Sequence, residues 1–306
     1  SRESYTRLME AEPAFILFVD IRYPGTVPLA DGIFPAYTKD LGAKPSLNVA
    51  FQDAWNWSYN KASRARICID GGMEKSVSHN IIIEFPGTDK DAGWIYAGAH
   101  HDTQADTVGA DDDGSGCTVI SEMAALLKNK TLKRGIKLIL FGAEEQLSVG
   151  SAEYIRQHRA EIEKNALFML NFDSCGSAMG WYNINVNGPE TIKKLLKKAF
   201  HNRNNYPVFS EDIVPYTDQF PFSVCGIPGA WISRECSGNK RPWHHRYDDD
   251  LRHISFEELA LQAELSADFL LSLANADSFP IEKYVPQEQM NLFAEQWTDL
   301  YGGWMG

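Results

Sequence analysis

Residues 93–116 read GWIYAGAHHDTQADTVGADDDGSG and contain a strand pattern, a polar loop and the approach to a helix. The apolar run Trp94 to Ala99 predicts a buried strand, and a helix pattern follows from Thr118 to Lys128. A strand that passes through a loop into a helix is typical of a βαβ unit, whose strands pair in parallel. This stretch therefore predicts an α/β protein.

The same alternation of strand and helix patterns continues over about residues 76–275. The further strand patterns are Ile81 to Phe85, Ile136 to Phe141, Leu167 to Phe172, Tyr182 to Val186 and Ala230 to Ile232. Further helix patterns run from Pro189 to Phe200 and onward from Ser255, where Ser255 and Glu258 form a capping-box pattern. We expect a three-layer α/β domain in which a mostly parallel mixed sheet is flanked by helices.

Two regions flank this domain. Residues 1–75 contain short apolar runs, Ala14 to Val19 and Leu47 to Phe51, among proline and glycine turns, which predicts a small β-rich accessory region. Residues 276–306 predict a helical extension with one apolar face, formed by Met290, Phe293, Trp297 and Tyr301. Such a face either docks on its own domain or contacts a second copy of the chain, so a homo-oligomer through this extension stays open.

Composition and charge exclude several classes of protein. Of the 306 residues, 44% are hydrophobic and 23% are charged, which is the balance of a folded globular protein and not of a disordered chain. The 29 basic and 41 acidic residues give a net charge of −12, which argues against binding to nucleic acid or to an anionic membrane surface. No apolar run approaches the ~18 residues of a membrane span. The five cysteines have no CxxC spacing, and at most one disulfide is compatible with the sequence, between Cys225 and Cys236, which nothing in the sequence requires.

Carboxylates and imidazoles form five clusters, and four of these lie where predicted strands end or at their exits. They are His100 and Asp102 after the first strand, Asp111 to Asp113 before its helix, Glu144 and Glu145 in FGAEE, Asp173 in NFDS, and His244 and His245 in RPWHHRYDDDL. Each cluster taken alone has an ordinary explanation as a solvated surface patch. Because one sheet brings the carboxyl ends of its parallel strands to one edge, we expect these side chains to share a site. Oxygen and imidazole ligands without thiolate suit zinc, manganese or cobalt.

The order of these motifs resembles that of the zinc aminopeptidases of peptidase family M28: HxD, a DDD triplet before a helix, EE, a single aspartate and HxxxD. The match covers about residues 79–274. TDQFPF (217–222) and GIPG (226–229) are similar to a further stretch of the family, with Thr217 and Gln219 as departures. Residues 14–75 resemble, more weakly, the latter half of a protease-associated domain. The resemblance implies a zinc-peptidase fold, and it favours a secreted or periplasmic location that the residues themselves leave open.

The resemblance also implies a dinuclear zinc site with two ions per chain, which Co²⁺ or Mn²⁺ would also occupy. Its ligands would be His100 and Asp173 on one ion, Glu145 and His245 on the other, and Asp112 as the bridge. Both His244 and His245 have an aspartate four residues later, so that spacing alone does not choose between them. The family's spacing to a following leucine and isoleucine favours His245, through Asp249, Leu251 and Ile254.

The remaining roles come from the same resemblance. Glu144 would be the general base that deprotonates the zinc-bound water to hydroxide, and Asp102 and Asp249 would orient the two imidazole ligands. His244 directly precedes the last ligand, where some members of the family have a tyrosine that hydrogen-bonds the developing oxyanion. His244 would therefore either donate to the tetrahedral intermediate or serve as a structural ring packed on Trp243.

The function that the resemblance implies is an aminopeptidase acting on peptides with a free N-terminus, since a cationic α-amine suits a site rich in carboxylates. The segment before the last ligand contains Arg234, Glu235, Lys240 and Arg241, so either it recognises a substrate carboxylate or it is a solvated loop. Two alternatives remain within the fold: a glutaminyl cyclase with a single zinc ion, and an inactive receptor or binding scaffold. The metal content per chain and the turnover of a peptide substrate distinguish these readings.

Overall fold

The N-terminal region contains more helix than its sequence pattern predicted. A computed structural model describes residues 1–21, 25, 27, 29, 34–72, 74–236, 241 and 243–304. In chain order this region has α1 (Arg2–Glu10), β1 (Ile16–Asp20), α2 (Pro35–Leu41), β2 (Ser46–Ala50) and α3 (Phe51–Tyr59). The two strands pair in parallel and match the predicted apolar runs. Such short helices are marginal on their own, and α1 and α2 depend on burying Tyr5 and Tyr37 beside Leu300. The expected β-rich region is therefore mixed, and its likeness to a protease-associated domain stays a prediction.

A seven-stranded mixed sheet forms the centre of the fold. Its strands are β3 (Ile81–Phe85), β4 (Trp94–His100), β5 (Gly135–Phe141), β6 (Ala166–Phe172), β7 (Trp181–Asn187), β8 (Val208–Ser210) and β9 (Gly229–Glu235). Their order across the sheet is β3-β5-β4-β6-β9-β7-β8. β3 pairs with β5 and β7 pairs with β9 in antiparallel fashion, and the other neighbouring pairs are parallel. The predicted mostly parallel mixed sheet is confirmed.

Helices cover both faces of this sheet. They are α4 (Gly114–Leu127), α5 (Val149–Asn165), α6 (Glu190–His201), α7 (Gln219–Val224), α8 (Phe256–Asn275) and α9 (Gln287–Tyr301). The larger core packs one face against α4, α6 and α8, and a second core packs the other face against α5 and α7. Residues of β4 alternate between the two, since Ile95 and Ala97 lie in the first core and Tyr96 lies in the second. Ser255 caps α8 as predicted, with its hydroxyl oxygen accepting the N–H of Glu258.

The apolar face of α9 docks within its own chain. Phe293 and Trp297 are buried, and the ring of Phe220 from α7 contacts both of them. Tyr301 stacks on the same ring, with centroids 5.5 Å apart. The stripe predicted from the sequence is therefore an internal packing face, and it gives no support to a homo-oligomer through this extension.

None of the five cysteines forms a disulfide. Cys225 packs beside the second core and Cys236 directly follows β9, so the disulfide considered from the sequence is not formed. Within the described ranges, no helix combines the length and the hydropathy that a membrane crossing requires.

The strand order creates a crevice at the carboxyl end of β4. The chain leaves β4 through α4 and enters β5 on one side, then returns through α5 to β6 on the other side. Ligand sites of open α/β sheets lie at such a reversal of strand order. The ends of these strands and the loops that follow them carry His100, Glu144 and Asp173.

Candidate metal centre

The fold brings together two groups of possible metal ligands, one of which includes His244, a residue not predicted to be a ligand. His100 is the last residue of β4, Asp173 directly follows β6, and His245 lies in the loop between β9 and α8. One group is His100, Asp112 and Asp173, whose ligand atoms all lie within 4.8 Å of one another. The other is Asp112, His244 and His245, whose ligand atoms lie within the same distance. Asp112 belongs to both groups.

The three aspartates of the DDD motif make different contacts. Asp113 is the N-cap of α4 and accepts a backbone N–H of its first turn at 2.9 Å. Asp111 accepts a backbone N–H from the loop after β6 at 2.8 Å. Both outer carboxylates are thus bonded to backbone, while Asp112 faces the imidazoles. The turn before them requires Gly109, which has φ +63° and leaves no room for a Cβ atom beside Thr103.

The carboxylate of Asp112 lies between the imidazoles of the two groups. Its Oδ1 atom is 3.1 Å from Nε2 of His100. Its Oδ2 atom is 3.5 Å from Nε2 of His245 and 3.5 Å from Nε2 of His244. One oxygen therefore faces each side, which is the arrangement that a bridging carboxylate requires.

Glu145 lies on the His245 side of this carboxylate. Its Oε2 atom is 2.9 Å from Nε2 of His245. The same oxygen accepts a hydrogen bond from the side-chain amide of Gln104, a buried residue that the sequence analysis missed. Gln104 stands two residues after Asp102 on the same loop, so the alternation of side chains along an extended segment was the available signal.

The donor atoms present fit a divalent metal ion. Asp112 Oδ2 and Glu145 Oε1 are buried, and neither accepts a hydrogen bond from the described residues. A buried carboxylate oxygen without a donor is costly unless a cation faces it. The two groups combine imidazole with carboxylate and contain no cysteine. This donor set suits zinc and related transition metals better than calcium or magnesium, which prefer oxygen alone.

The charges of the cluster shift one another's pKa values. Burial by itself lowers the pKa of His100, but a hydrogen bond to Asp112 and the neighbouring carboxylates raise it well above its usual range. Burial likewise lowers the pKa of His245, but the hydrogen bond to Glu145 and the charges of Asp112 and Glu145 together outweigh it and raise the pKa to about 9. Burial would raise the pKa of Asp112, yet the imidazoles, led by His244, hold it far below its usual value. A bound dication would take the place of these protons in the charge balance.

Glu144 directs one carboxylate oxygen toward the cluster. Its Oε1 atom accepts the hydroxyl proton of Ser148 at 3.0 Å, and its Oε2 atom is 4.0 Å from Nε2 of His100. Burial raises the pKa of Glu144 well above its usual range, with His100 opposing the shift and nearby carboxylates adding to it. A carboxyl group that holds a proton more readily than usual suits acid–base chemistry.

Asp102 binds backbone amides, which differs from its predicted role of orienting an imidazole. Its carboxylate accepts the N–H groups of Glu144 and Glu145 at 3.0 and 3.2 Å. Its Oδ1 atom is 3.8 Å from Nδ1 of His100, and this nitrogen instead forms a hydrogen bond with the backbone carbonyl of Asp102 at 3.0 Å. The side chain therefore holds the loop that carries the two glutamates.

Asp249 holds the DDD loop in the same way. Its two oxygens accept the N–H groups of Asp111 and Asp112 at 2.8 and 3.0 Å. Burial raises its pKa to about 6, against the lowering effect of these two hydrogen bonds. The sequence predicted that Asp249 orients His245, whereas these contacts place its carboxylate on the loop that carries Asp112.

His244 stacks on the neighbouring ligand candidate. Its ring centroid is 3.6 Å from that of His245, with the two planes 20° apart. Trp243 stacks on His253 instead, at 3.5 Å. The structural alternative, in which His244 packs on Trp243, is thus not the arrangement seen, and His244 lies as close to Asp112 as His245 does.

The two arginines before the last ligand lie in different places. Arg234 is buried within β9 and pairs with Glu258, so neither alternative, substrate recognition or a solvated loop, holds for it. Arg241 lines the pocket, and its guanidinium donates to Oδ1 of Asp173 at 3.0 Å. Lys240, predicted from the same segment, lies outside the described residues.

A pocket of about 610 Å³ opens over the cluster. The carboxylate and imidazole side chains that line it are those of Asp112, Glu144, Glu145, Asp173, His244 and His245. Much of the remaining wall is apolar, formed by Phe34, Leu147, Val214, Tyr216 and Trp231. Phe34 comes from the N-terminal region, and nothing in its sequence context signalled that it would reach the site.

The chain is similar to proteins of known activity. The family model for peptidase family M28 matches residues 80–270. Aminopeptidase YwaD from Bacillus subtilis (strain 168) is 29% identical over 229 residues, which is 71% of this chain and 50% of that protein. The chain thus spans about half the length of this relative.

Solved structures share the fold. BSAP, described as a zinc aminopeptidase from Bacillus subtilis, is 25% identical with a TM-score of 0.58, over 68% of this chain and 53% of that chain. A glutaminyl cyclase from Porphyromonas gingivalis is 22% identical with a TM-score of 0.52, over 62% of this chain and 75% of that chain, and it shows the fold alone. Because the family match extends over more than half of its residues, the chain belongs to peptidase family M28.

Proposed function

We propose that this protein is a zinc-dependent aminopeptidase that removes the N-terminal residue of peptides. The observation that carries the proposal is the carboxylate of Asp112, with one oxygen beside His100 and the other beside His245. His100 and Asp173 would hold one ion, Glu145 and His245 would hold a second, and Asp112 would bridge them. The relatives named as aminopeptidase and zinc aminopeptidase support this assignment.

Each polar group of the site has a task in that reaction. Zinc ions held here would let a water molecule ionise near neutral pH and would polarise the scissile carbonyl. Glu144 Oε2 takes the proton of the attacking water and returns it to the leaving amine, while Ser148 fixes the other oxygen of the same carboxylate. The carboxylates of the pocket attract the cationic α-amine of the substrate. Asp102 and Asp249 keep the loops that carry these groups in place.

Turnover of simple substrates tests the proposal. The zinc-loaded protein is expected to hydrolyse leucine p-nitroanilide and dipeptides, to lose this activity with a chelator and to regain it with zinc. N-acetylated versions of the same substrates are the control, because they lack the cationic amine and are expected to remain intact. Equal cleavage of free and acetylated substrates, or no cleavage of either, would refute it.

A glutaminyl cyclase is the second candidate, because a solved enzyme of that type has this fold. It would release ammonia from peptides with N-terminal glutamine and would contain one zinc ion per chain. The complete set of five ligand candidates favours two ions and therefore the aminopeptidase. An inactive scaffold would bind metal without turnover of either substrate.

A further inference from the structure

One oxygen of the Asp173 carboxylate is bonded to an arginine. Oδ1 of Asp173 accepts the hydroxyl proton of Ser174 at 3.0 Å and an N–H of Arg241 at 3.0 Å. The same Nη1 atom of Arg241 also donates to the hydroxyl oxygen of Ser174 at 3.1 Å. A guanidinium group therefore lies directly against a side chain that is a candidate metal ligand.

The wall of the pocket holds Arg241 in this position. Its guanidinium carbon lies 5.3 Å from the centroid of the Trp231 ring, and its side chain is only 20% exposed. The indole N–H of Trp231 donates to the backbone carbonyl of Asp173 at 3.2 Å, so this ring is bonded to the same strand end. A cation that faces an aromatic ring and has lost most of its water interacts more strongly with neighbouring charges than an exposed cation does.

The orientation of Asp173 does not depend on Arg241 alone. The hydroxyl of Ser174 donates to the same carboxylate oxygen, and the backbone N–H of Asp173 donates to the carbonyl of Ile232 at 3.3 Å. Ser174 is fully buried, and its own backbone N–H donates to Oδ1 of Asp113 at 3.3 Å. What Arg241 adds to these contacts is its positive charge.

This positive charge is permanent. A guanidinium group keeps its proton under all conditions in which a protein is folded, so its charge does not leave when a metal ion arrives. In the metal-free protein, Arg241 offsets part of the charge of Asp173 and of its neighbour Asp112, two buried carboxylates of one candidate metal group. A dication bound to Asp173 would have to share that carboxylate with the guanidinium, and the two cations would repel each other.

The carboxylate of Glu145, on the other side of the site, has a different neighbour. Its Oε2 atom accepts a hydrogen bond from the neutral side-chain amide of Gln104 and lies 2.9 Å from Nε2 of His245. Within the described part of the chain, neither a lysine nor an arginine pairs with Glu145. The two sides of the site therefore differ in charge, with a guanidinium beside Asp173 and a neutral amide beside Glu145.

We propose that Arg241 is a permanent counter-cation of the site, which stabilises the metal-free protein and weakens the binding of the ion that His100 and Asp173 would hold. The effect on metal affinity rests on the proposed zinc site. The effect on the stability of the metal-free protein depends only on the contacts of Arg241 with Asp173 and Ser174.

Zinc titration of the metal-free protein against a competing chelator tests the effect on affinity. Arg241→Gln keeps a hydrogen-bond donor and removes the charge, so the weaker of the two zinc ions is expected to bind about 10-fold more tightly or better, while the tighter ion changes far less. Arg241→Lys keeps a cation and is expected to stay close to the wild type. Arg252→Gln is the matched control, because that side chain is 76% exposed and pairs with Asp250.

Thermal melting of the metal-free proteins tests the effect on stability. Metal-free Arg241→Gln is expected to melt about 3 °C or more below the wild type, because it leaves Asp173 without its cation. Saturating zinc is expected to raise the melting temperature of this variant by more than it raises that of the wild type. Arg252→Gln is expected to show neither change.

The outcomes separate this inference from the proposed activity. Two bound zinc ions without turnover of any peptide substrate would refute the aminopeptidase, and the titration would still decide the role of Arg241. Equal or weaker zinc binding by Arg241→Gln would overturn the effect on affinity. An unchanged melting temperature of the metal-free Arg241→Gln variant would overturn the effect on stability, whether or not the protein binds zinc.

Discussion

Asp249→Asn tests the hydrogen bonds that position the loop of Asp112, the proposed bridging residue. The side chain of Asp249 is buried, and its two oxygens accept the N–H groups of Asp111 and Asp112 at 2.8 and 3.0 Å. Asparagine has nearly the same shape and keeps one acceptor. Its amide NH₂ group, however, faces the second backbone N–H, so one hydrogen bond is replaced by two opposed donors.

The structure allows the size of this effect to be worked out. A hydrogen bond to a charged acceptor contributes roughly 1.5–3 kcal/mol, so the free energy of unfolding is expected to fall by about 2–3 kcal/mol. In a chain of this size the melting temperature drops by roughly 2 °C per kcal/mol, which predicts a loss of about 4–6 °C. Displacement of the loop is also expected to weaken metal binding about 10- to 100-fold.

Melting curves followed by circular dichroism at pH 8 measure the first effect. At this pH a carboxyl group with a pKa of about 6 is ionised, so the comparison is with the charged acceptor. Zinc titration against a competing chelator measures the second. Asp277→Asn makes the same change at an exposed position and serves as the control. If Asp249→Asn melts within 1 °C of the wild type and binds zinc equally well, the loop-holding role is refuted.

Three further substitutions probe catalysis and packing. Glu144→Gln is expected to lower kcat about 10²- to 10⁴-fold with unchanged metal content, because the amide does not accept the proton; a kcat within 5-fold of the wild type in steady-state assays would contradict this role. His244→Ala is expected to lower kcat about 100-fold if His244 donates to the developing oxyanion; an unchanged kcat at full zinc occupancy would remove it from the mechanism. Trp297→Ala is expected to cost about 3–5 kcal/mol of stability in denaturant titrations, because its ring is buried against α7. The control Trp55→Ala, at a position 58% exposed, should cost far less, and equal losses would argue against the docked α9.

The central sheet was predictable because its strands are apolar runs bounded by turns. The strand predicted at Ile81–Phe85 has those bounds in the structure, and the one predicted at Trp94 to Ala99 ends at His100. Where the apolar run ends before the strand does, the sequence predicts a strand that is too short. Ile232 ends the apolar part of β9, yet the strand continues to Glu235, and Arg234 is therefore buried in the sheet and not placed in a loop.

The candidate ligands were predictable for a related reason. All except His245, which lies in the loop between β9 and α8, come just after a strand or just before a helix, so the topology brings them to one crevice. The hydrogen-bond partners of the supporting aspartates were harder to predict. A carboxylate accepts hydrogen bonds from whichever donors the folded loops place beside it. Asp102 and Asp249 illustrate this, since both bind backbone amides whose positions depend on loop geometry.

The terminal segments were the least predictable part of the chain. Short helices such as α1 and α2 carry weak patterns and gain their stability from tertiary contacts. Tyr37 is buried beside Leu300, which is more than 250 residues away in the sequence. The arrival of Phe34 in the pocket depends on the same long-range packing, so local periodicity contains no sign of it.

Counting the metal ions bound per chain is the most direct test of the shared carboxylate of Asp112. Elemental analysis of zinc-equilibrated wild type, Asp112→Ala and the exposed control Asp91→Ala provides the count. We predict two zinc ions per chain in the wild type and in the control, and fewer than one in Asp112→Ala. One ion or none in the folded wild type, or two ions retained by Asp112→Ala, would contradict the dinuclear site.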